Sequence, residues 1–325
     1  MRTIVLALLC MFSVSWFTGQ TVSAADVKVD ADVKPYATVS GVSGNLNSIG
    51  SDTLNNLMTL WGEGFRKYYP SVNIQVEGKG SATAPPALTQ GTAQLGPMSR
   101  AMKAEEEEAF EKVHGYKPTR ISVALDCLAV YVHKDSPLKG MSMEQVDGAF
   151  SKTRKLGGPN VATWGDLGLK GDLGAMPLSL YGRNSASGTY GFFKEHALGK
   201  GDFKDEVKEQ PGSAAVVQGV AKDRAGMGYS GIGYRTSEVR ALPLAKKTGG
   251  EFVEPSFDNA LNGKYPMGRA LYIYINKKPG EPAPLVVKEF VKYVLSKEGQ
   301  EVVIKDGYGP LPKSIIEKQL QLLDK

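Results

Sequence analysis

The chain has 325 residues, 42% of them hydrophobic, with 39 Lys and Arg against 34 Asp and Glu and a formal net charge of +5. That length accommodates two domains of ordinary size, each with its own core. The mild positive balance, without any Lys/Arg block interleaved with aromatics, argues against nucleic acid as a partner and leaves only a weak general attraction for a small anion.

Residues 1–25 read as a secretory signal peptide. Arg2 is the basic start, residues 4–17 form the apolar stretch, and Thr21-Val22-Ser23-Ala24-Ala25 offers cleavage after Ala24 or Ala25. The apolar run is short for a membrane span. Leu9 precedes Cys10 where a lipoprotein signal needs a small residue. The mature protein is therefore expected to be soluble and exported. Cleavage removes the single charge of Arg2, taking +5 to +4, and leaves Cys127 without a disulfide partner. Cys127 lies in the apolar run 121–132 and is expected to be a buried structural thiol.

Residues 26–45 read as an Asp- and Val-rich leader, poorly ordered in part. A strand is predicted over 44–50, followed by Ser51-Asp52-Thr53 and a helix with Leu54, Leu57, Met58, Trp61, Phe65 and Tyr68 at three- and four-residue steps, stopped by Pro70. A strand over 73–77 then feeds Gly78-Lys79-Gly80-Ser81-Ala82-Thr83 and a short helix over 85–90, since proline is tolerated in a first turn. A brief strand over 93–96 feeds Pro97-Met98-Ser99-Arg100. One device thus recurs three times: a strand, a turn carrying hydroxyls, and a helix.

A helix is predicted over 103–114, with Glu105 to Glu108 near its start, where the macrodipole favours carboxylates. The run 121–133 reads as a long strand of a parallel sheet buried on both faces. Further helices are predicted over 143–150, 213–223, 285–296 and 298–304, and after Pro312. Further strands are predicted over 178–181, 207–210 and 271–275, and a strand and turn over 227–234. Strands alternate with helices throughout, so the class is α/β with mostly parallel sheets.

The stretch Gly182-Arg183-Asn184-Ser185-Ala186-Ser187-Gly188-Thr189 carries the most chemistry. A helix start offers free N–H groups and partial positive charge. Ser187 and Thr189 add hydroxyls, Gly188 admits close backbone approach, and Arg183 presents a planar fork of donors. Two readings stand from these residues alone: a site for a tetrahedral oxyanion, or a capped surface helix beside a loop arginine. His114, His133 and His196 are scattered and have no ligand spacing for zinc. Ser187 lies in Ala-Ser-Gly, not Gly-x-Ser-x-Gly, and no His–Asp pair accompanies it, which argues against a hydrolase. No cofactor and no metal are expected.

The ordered set of motifs resembles the periplasmic phosphate-binding proteins that serve high-affinity phosphate ABC transporters. Its members here are Gly50-Ser51-Asp52-Thr53, Gly80-Ser81, Gly96-Pro97-Met98-Ser99-Arg100, Arg183-x-x-x-Ser187-Gly188-Thr189, Gly226-Met227-Gly228-Tyr229, Leu295-Ser296-Lys297-Glu298-Gly299-Gln300 and Gly307-Tyr308-Gly309-Pro310-Leu311-Pro312, spanning residues 44–315. The resemblance implies a two-lobed periplasmic-binding-protein fold of type II with the ligand cleft between the lobes. Carried onto this chain, residues 26–127 and 270–325 form one discontinuous lobe and 128–269 the other, with crossovers near 125–130 and 269–274.

The same resemblance implies a ligand set. Ser51, Thr53, the Leu54 amide, Ser81 and Ser99 come from one lobe, and Arg183, Ser187, the Gly188 amide and Thr189 from the other. Several charge-assisted donors can replace the hydration shell of a dianion. Arg100 has two readings, as a further contact or as the residue that holds its loop. Some family members carry aspartate where this chain aligns Ser99, and a carboxylate accepts the proton of monohydrogen phosphate while repelling sulfate. Asp52 is expected to take over that acceptor role, its other reading being the N-cap of the helix that follows. The implied function is capture of inorganic phosphate by a monomer and delivery to a membrane permease. The alternatives are a binder of sulfate, molybdate or a phosphate ester, a secreted phosphatase, and a surface protein that kept the fold but lost transport.

Overall fold

The computed structural model describes residues 27–324, and the expected signal peptide lies outside the described residues. The chain opens with β1 (Gly44–Ile49), α1 (Asn55–Tyr68), β2 (Val72–Glu77), α2 (Ala84–Thr89), β3 (Gly96–Met98) and α3 (Ala104–His114). It continues through β4 (Thr119–His133), β5 (Met141–Ser142), α4 (Met143–Phe150), α5 (Gly171–Ala175), β6 (Ser179–Arg183) and α6 (Gly188–His196). Then come β7 (Lys208–Gln210), α7 (Ser213–Lys222), β8 (Gly226–Gly231), β9 (Val239–Ala241), β10 (Leu244–Ala245) and α8 (Phe257–Leu261). The last elements are β11 (Gly268–Ile275), α9 (Leu285–Val294), α10 (Lys297–Lys305) and α11 (Lys313–Gln321). Among the described residues no helix is long and apolar enough to cross a membrane.

The helical period explains α1 directly. Leu57, Met58, Trp61 and Phe65 share one face and are fully buried, while Tyr68, one step further on, is exposed. Trp61 Nε1 donates to the Gly299 carbonyl at 2.8 Å, so the polar edge of that large ring is satisfied inside the core. Each such side chain contributes about 1.5–3 kcal/mol of burial free energy. That burial is what fixes α1 against α9 and α10 and so aims its N-terminal turn.

Two large cores form. One collects residues from Val33 to Leu125 and from Leu271 to Leu323, and the other collects residues from Cys127 to Met267. The change of core falls inside β4, between Leu125 and Cys127, and again near the start of β11. These two strands are direct neighbours in a seven-stranded sheet of order β3-β11-β4-β8-β6-β7, with β9 also pairing β4. A separate parallel pair, β1 and β2, carries the first two turns.

Three expectations differ from the structure. The brief strand expected over 93–96 forms over Gly96–Met98, within the stretch read as its loop. The long strand β4 pairs antiparallel with β11, β8 and β9, not within a parallel sheet. The parallel pairs are β1–β2, β5–β10, β6–β7 and β6–β8. β4 carries the chain from one core to the other and β11 brings it back, so the two must run oppositely. Burial on both faces, which suggested a parallel sheet, arises from the layers packed over them. The leader also packs more than expected. Val33 and Val42 are buried in the first core, and the Tyr36 hydroxyl meets that of Tyr69 at 2.8 Å and donates to Glu289 at 2.9 Å. These anchors are single residues without a period, so no element pattern announced them.

Candidate anion-binding site

Three of the strand–turn–helix units converge on one edge of the first lobe, and the backbone stitches them together. Gly50 N donates to the Glu77 carbonyl, Gly80 N to the Gly50 carbonyl, and Ser51 N to the Pro97 carbonyl at 2.8 Å. Ser99 N donates to Ser81 Oγ at 3.1 Å, and the two hydroxyls lie 3.4 Å apart. Gly50 is required for this packing, since a Cβ there would stand 2.2 Å from the Pro97 carbonyl oxygen. The result places Ser51, Thr53, Leu54, Ser81 and Ser99 side by side, all buried.

The fourth loop faces them from the second lobe. β6 ends on Arg183 and α6 begins at Gly188. Ser187 is the N-cap, and its Oγ accepts from the amides of Thr189 and Tyr190. That leaves the Gly188 amide as the first-turn donor that no protein group takes, among the described residues. Arg183 is nearly fully buried. Its Nη1 donates to Ser213 Oγ at 2.7 Å and its Nη2 to the Pro211 carbonyl at 3.4 Å, while its own amide donates to the Tyr229 hydroxyl at 3.2 Å. Its Nε is buried and has no hydrogen-bond partner among the described residues. Burial pulls this guanidinium below its ordinary value, and the Asp52 carboxylate pushes back.

The two jaws touch. Thr53 Oγ1 and Thr189 Oγ1 are 3.0 Å apart, and Ala82 N donates to the Ala186 carbonyl at 3.1 Å. Gly80 has φ +117, and a Cβ there would lie 2.5 Å from that same carbonyl oxygen, so glycine serves both the conformation and the close approach. A Cβ on Gly188 would stand 2.2 Å from Ser81 Oγ and 2.6 Å from Ser99 Oγ.

Asp52 belongs to this contact. Its carboxylate does not cap the helix that follows it, where the N-cap positions make no side-chain bond. Instead Oδ2 crosses the cleft to Arg183 Nη1 at 3.1 Å and accepts the Ser213 amide, at the start of α7, at 2.8 Å. The Tyr234 hydroxyl donates to the Asp52 carbonyl at 2.9 Å, and Tyr308 to the Thr53 carbonyl at 2.8 Å. Burial raises both phenols above their ordinary value, which keeps them protonated as donors. Arg100 is engaged elsewhere. Its fork meets both oxygens of Glu106, at 2.6 and 2.7 Å, and Glu106 in turn accepts the Lys103 amide at the start of α3.

Sequence reasoning missed a second ion pair beneath the jaws. Asp126 on β4 and Arg269 on β11 are direct cross-strand partners, joined through Asp126 Oδ2 at 2.9 and 2.7 Å. Both are buried. The signal was present, because Asp126 is the single charge in the apolar run 121–132, and a charge that enters a core must be paired there. Ser213 and Tyr234 were also missed. Cys127 takes the expected buried position, where burial pushes its thiol up. Among the described residues no group of three or more His, Cys, Asp and Glu side chains is arranged to hold a metal ion.

Comparisons with known proteins fit this architecture. A family model described as a PBP superfamily domain matches residues 36–298. Over 306 residues the chain is 56% identical to the phosphate-binding protein PstS of Pseudomonas aeruginosa, covering 94% of this chain and 95% of that protein. Among solved structures, one from Clostridium perfringens with bound phosphate superposes with a TM-score of 0.70 at 23% identity, covering 82% of this chain and all (100%) of the other. An ABC-type phosphate transport receptor from Vibrio cholerae superposes at 0.65 and 20% identity, again covering 82% and 100%. The two structures establish the fold, and the matched model and the Pseudomonas relative establish the lineage: the chain belongs to the PBP superfamily and, within it, to the family of PstS phosphate-binding proteins.

Proposed function

We propose that this protein is an extracytoplasmic solute-binding protein that captures inorganic phosphate by closing two lobes and delivers it to the permease of a phosphate ABC transporter. Residues 26–127 and 270–325 act as one lobe and 128–269 as the other, joined by β4 and β11. The protein works as a monomer in the periplasm, after removal of residues 1–25.

One observation carries the reading. Arg183 is buried with an unpartnered Nε, at the meeting point of four loops that present hydroxyls and a helix start. A buried, unspent guanidinium donor is costly unless an anion completes it. Ser51, Thr53, Leu54 N, Ser81 and Ser99 serve the anion from one side. Arg183, Ser187, Gly188 N and Thr189 serve it from the other. Arg100, tied to Glu106, holds its loop and presents the Ser99 hydroxyl.

Asp52 supplies the acceptor. Its Oδ2 is engaged by Arg183 and Ser213, while Oδ1 carries no hydrogen bond among the described residues. A carboxylate placed there accepts a ligand proton and repels an anion that has none. Asp52→Asn is therefore expected to relax discrimination against sulfate. A site whose polar groups are all used by the right ligand can reject a wrong one by ~10⁴-fold.

Calorimetric titration of ligand-stripped protein tests the proposal. Tight one-to-one binding of phosphate that excess sulfate leaves unchanged supports it. Sulfate or molybdate binding as tightly as phosphate replaces phosphate as the ligand. Turnover of a generic phosphomonoester that Ser187→Ala abolishes overturns the binding-protein reading. In Asp52→Asn, unchanged affinity together with unchanged selectivity removes the acceptor role.

A further inference from the structure

We infer that Arg269 is a positioning residue of the anion site, which sets the Thr189 hydroxyl and the Ser99 loop from the crossover strands without being a ligand itself. This inference rests on the phosphate reading above and deepens it.

Arg269 lies where the cores change over, opposite Asp126 in the β4–β11 register. Four of its five N–H groups are spent on protein acceptors, a count that sets the recorded bonds against a guanidinium's five donors. Nε and one Nη2 hydrogen go to Asp126 Oδ2. The other Nη2 hydrogen goes to Thr189 Oγ1 at 3.0 Å, in the second jaw. Nη1 donates to the Ser99 carbonyl at 2.9 Å, in the first jaw. The guanidinium also sits 5.3 Å from the centroid of the Phe192 ring on α6. Asp126 is fixed in turn, its Oδ1 accepting the Ile232 amide at 3.0 Å. One planar fork therefore joins both crossover strands to both jaws.

The consequence for binding is directional. A hydroxyl has one proton and two acceptor sites. Thr189 Oγ1 accepts from Arg269, so its proton cannot point at the strands and turns to the cleft, toward Thr53 Oγ1 or an anion. Likewise, holding the Ser99 carbonyl fixes the loop that carries the Ser99 hydroxyl. The Asp126 carboxylate balances the Arg269 charge and four of the five Arg269 donors are spent on protein, so this pair supplies orientation, while Arg183, with its Nε unspent, keeps a charged donor for an anion. A lysine at 269 keeps one charge near Asp126 but cannot serve three acceptors in one plane.

A double-mutant cycle with Arg269→Lys and Thr189→Val tests this, read by phosphate calorimetry and by thermal melting of the ligand-free proteins. Arg269→Lys is expected to weaken phosphate binding about tenfold or more in the wild-type background, and by less than about threefold once Thr189 is Val. Ligand-free melting should change little. Wild-type affinity in Arg269→Lys, or the same loss in both backgrounds, overturns the inference, because a merely structural role is indifferent to Thr189. If Arg269→Lys does not fold, Phe192→Leu decides: a loss of about threefold supports the positioning role, and no loss overturns it. Wild-type protein that fails to bind phosphate overturns the phosphate reading itself, an outcome separate from wild-type and Arg269→Lys binding alike.

Discussion

Two arginine–aspartate pairs lie in the same cleft and differ in what they join. Arg183 and Asp52, 3.1 Å apart, come from opposite jaws, and the Asp52 side chain keeps 23% of its exposure. Arg269 and Asp126, 2.7 Å apart, come from adjacent strands and are almost wholly enclosed. Water reaching Asp52 lowers the free energy needed to part the first pair, so lobe motion can make and break it. Parting the second would strand two charges in a core. In the proposed reading one pair belongs to binding, and the other to the frame on which binding takes place.

Breaking the frame has the largest expected effect. Asp126→Asn leaves the Arg269 guanidinium buried without its counter-charge and should destabilise the protein by about 3–5 kcal/mol in urea or thermal unfolding. A loss under ~1 kcal/mol would erase the distinction between the pairs. Breaking the binding pair moves a different quantity. Arg183→Met should lower phosphate affinity by about 10²-fold or more in calorimetry, since a charged hydrogen-bond donor is lost and the Asp52 carboxylate is left unbalanced. Its ligand-free unfolding should change much less than that of Asp126→Asn, because Asp52 retains solvent and the Ser213 amide.

A third carboxylate sharpens the contrast. Asp306 is half-buried, accepts from Asn56 and has no ion-pair partner among the described residues. Burial pushes its carboxyl up to about 6. The folded state thus holds this proton more tightly than the unfolded chain, whose value is about 3.9. The stabilising contribution is full below that unfolded value and is lost as pH rises through about 6. Asp306→Asn should flatten the pH dependence of melting temperature between about 4 and 7 and leave the protein somewhat more stable at neutral pH. Parallel curves for the two proteins would show that the burial of Asp306 has no such consequence.

Much of the frame was legible in the sequence. The steps of Leu57, Met58, Trp61 and Phe65 announced α1, and the repeated glycine–hydroxyl turns announced three loops of one jaw. The relation between jaws was not legible. Asp52 reads locally as a helix cap, and only the fold brings it to the N-terminus of α7, across 161 residues of chain. The direction of β4 was equally hidden, because an apolar run reports burial on both faces and carries no sign for its neighbours' direction. Asp126 was the missed opportunity. A lone carboxylate in such a run demands a partner, but the period of neither strand says that the partner is Arg269.

If phosphate is held by closure of two jaws, Gly188→Ala should block closure without touching the fold of either lobe. Gly188 stands at the start of α6 with ordinary helical backbone, so alanine suits it until Ser81 and Ser99 come within 2.2 and 2.6 Å of the new Cβ. Small-angle X-ray scattering with and without phosphate is the direct measurement. Wild-type protein should contract on adding phosphate, while Gly188→Ala should melt like wild type without ligand and should not contract. Equal contraction in both proteins, or none in either, would contradict closure of the two jaws.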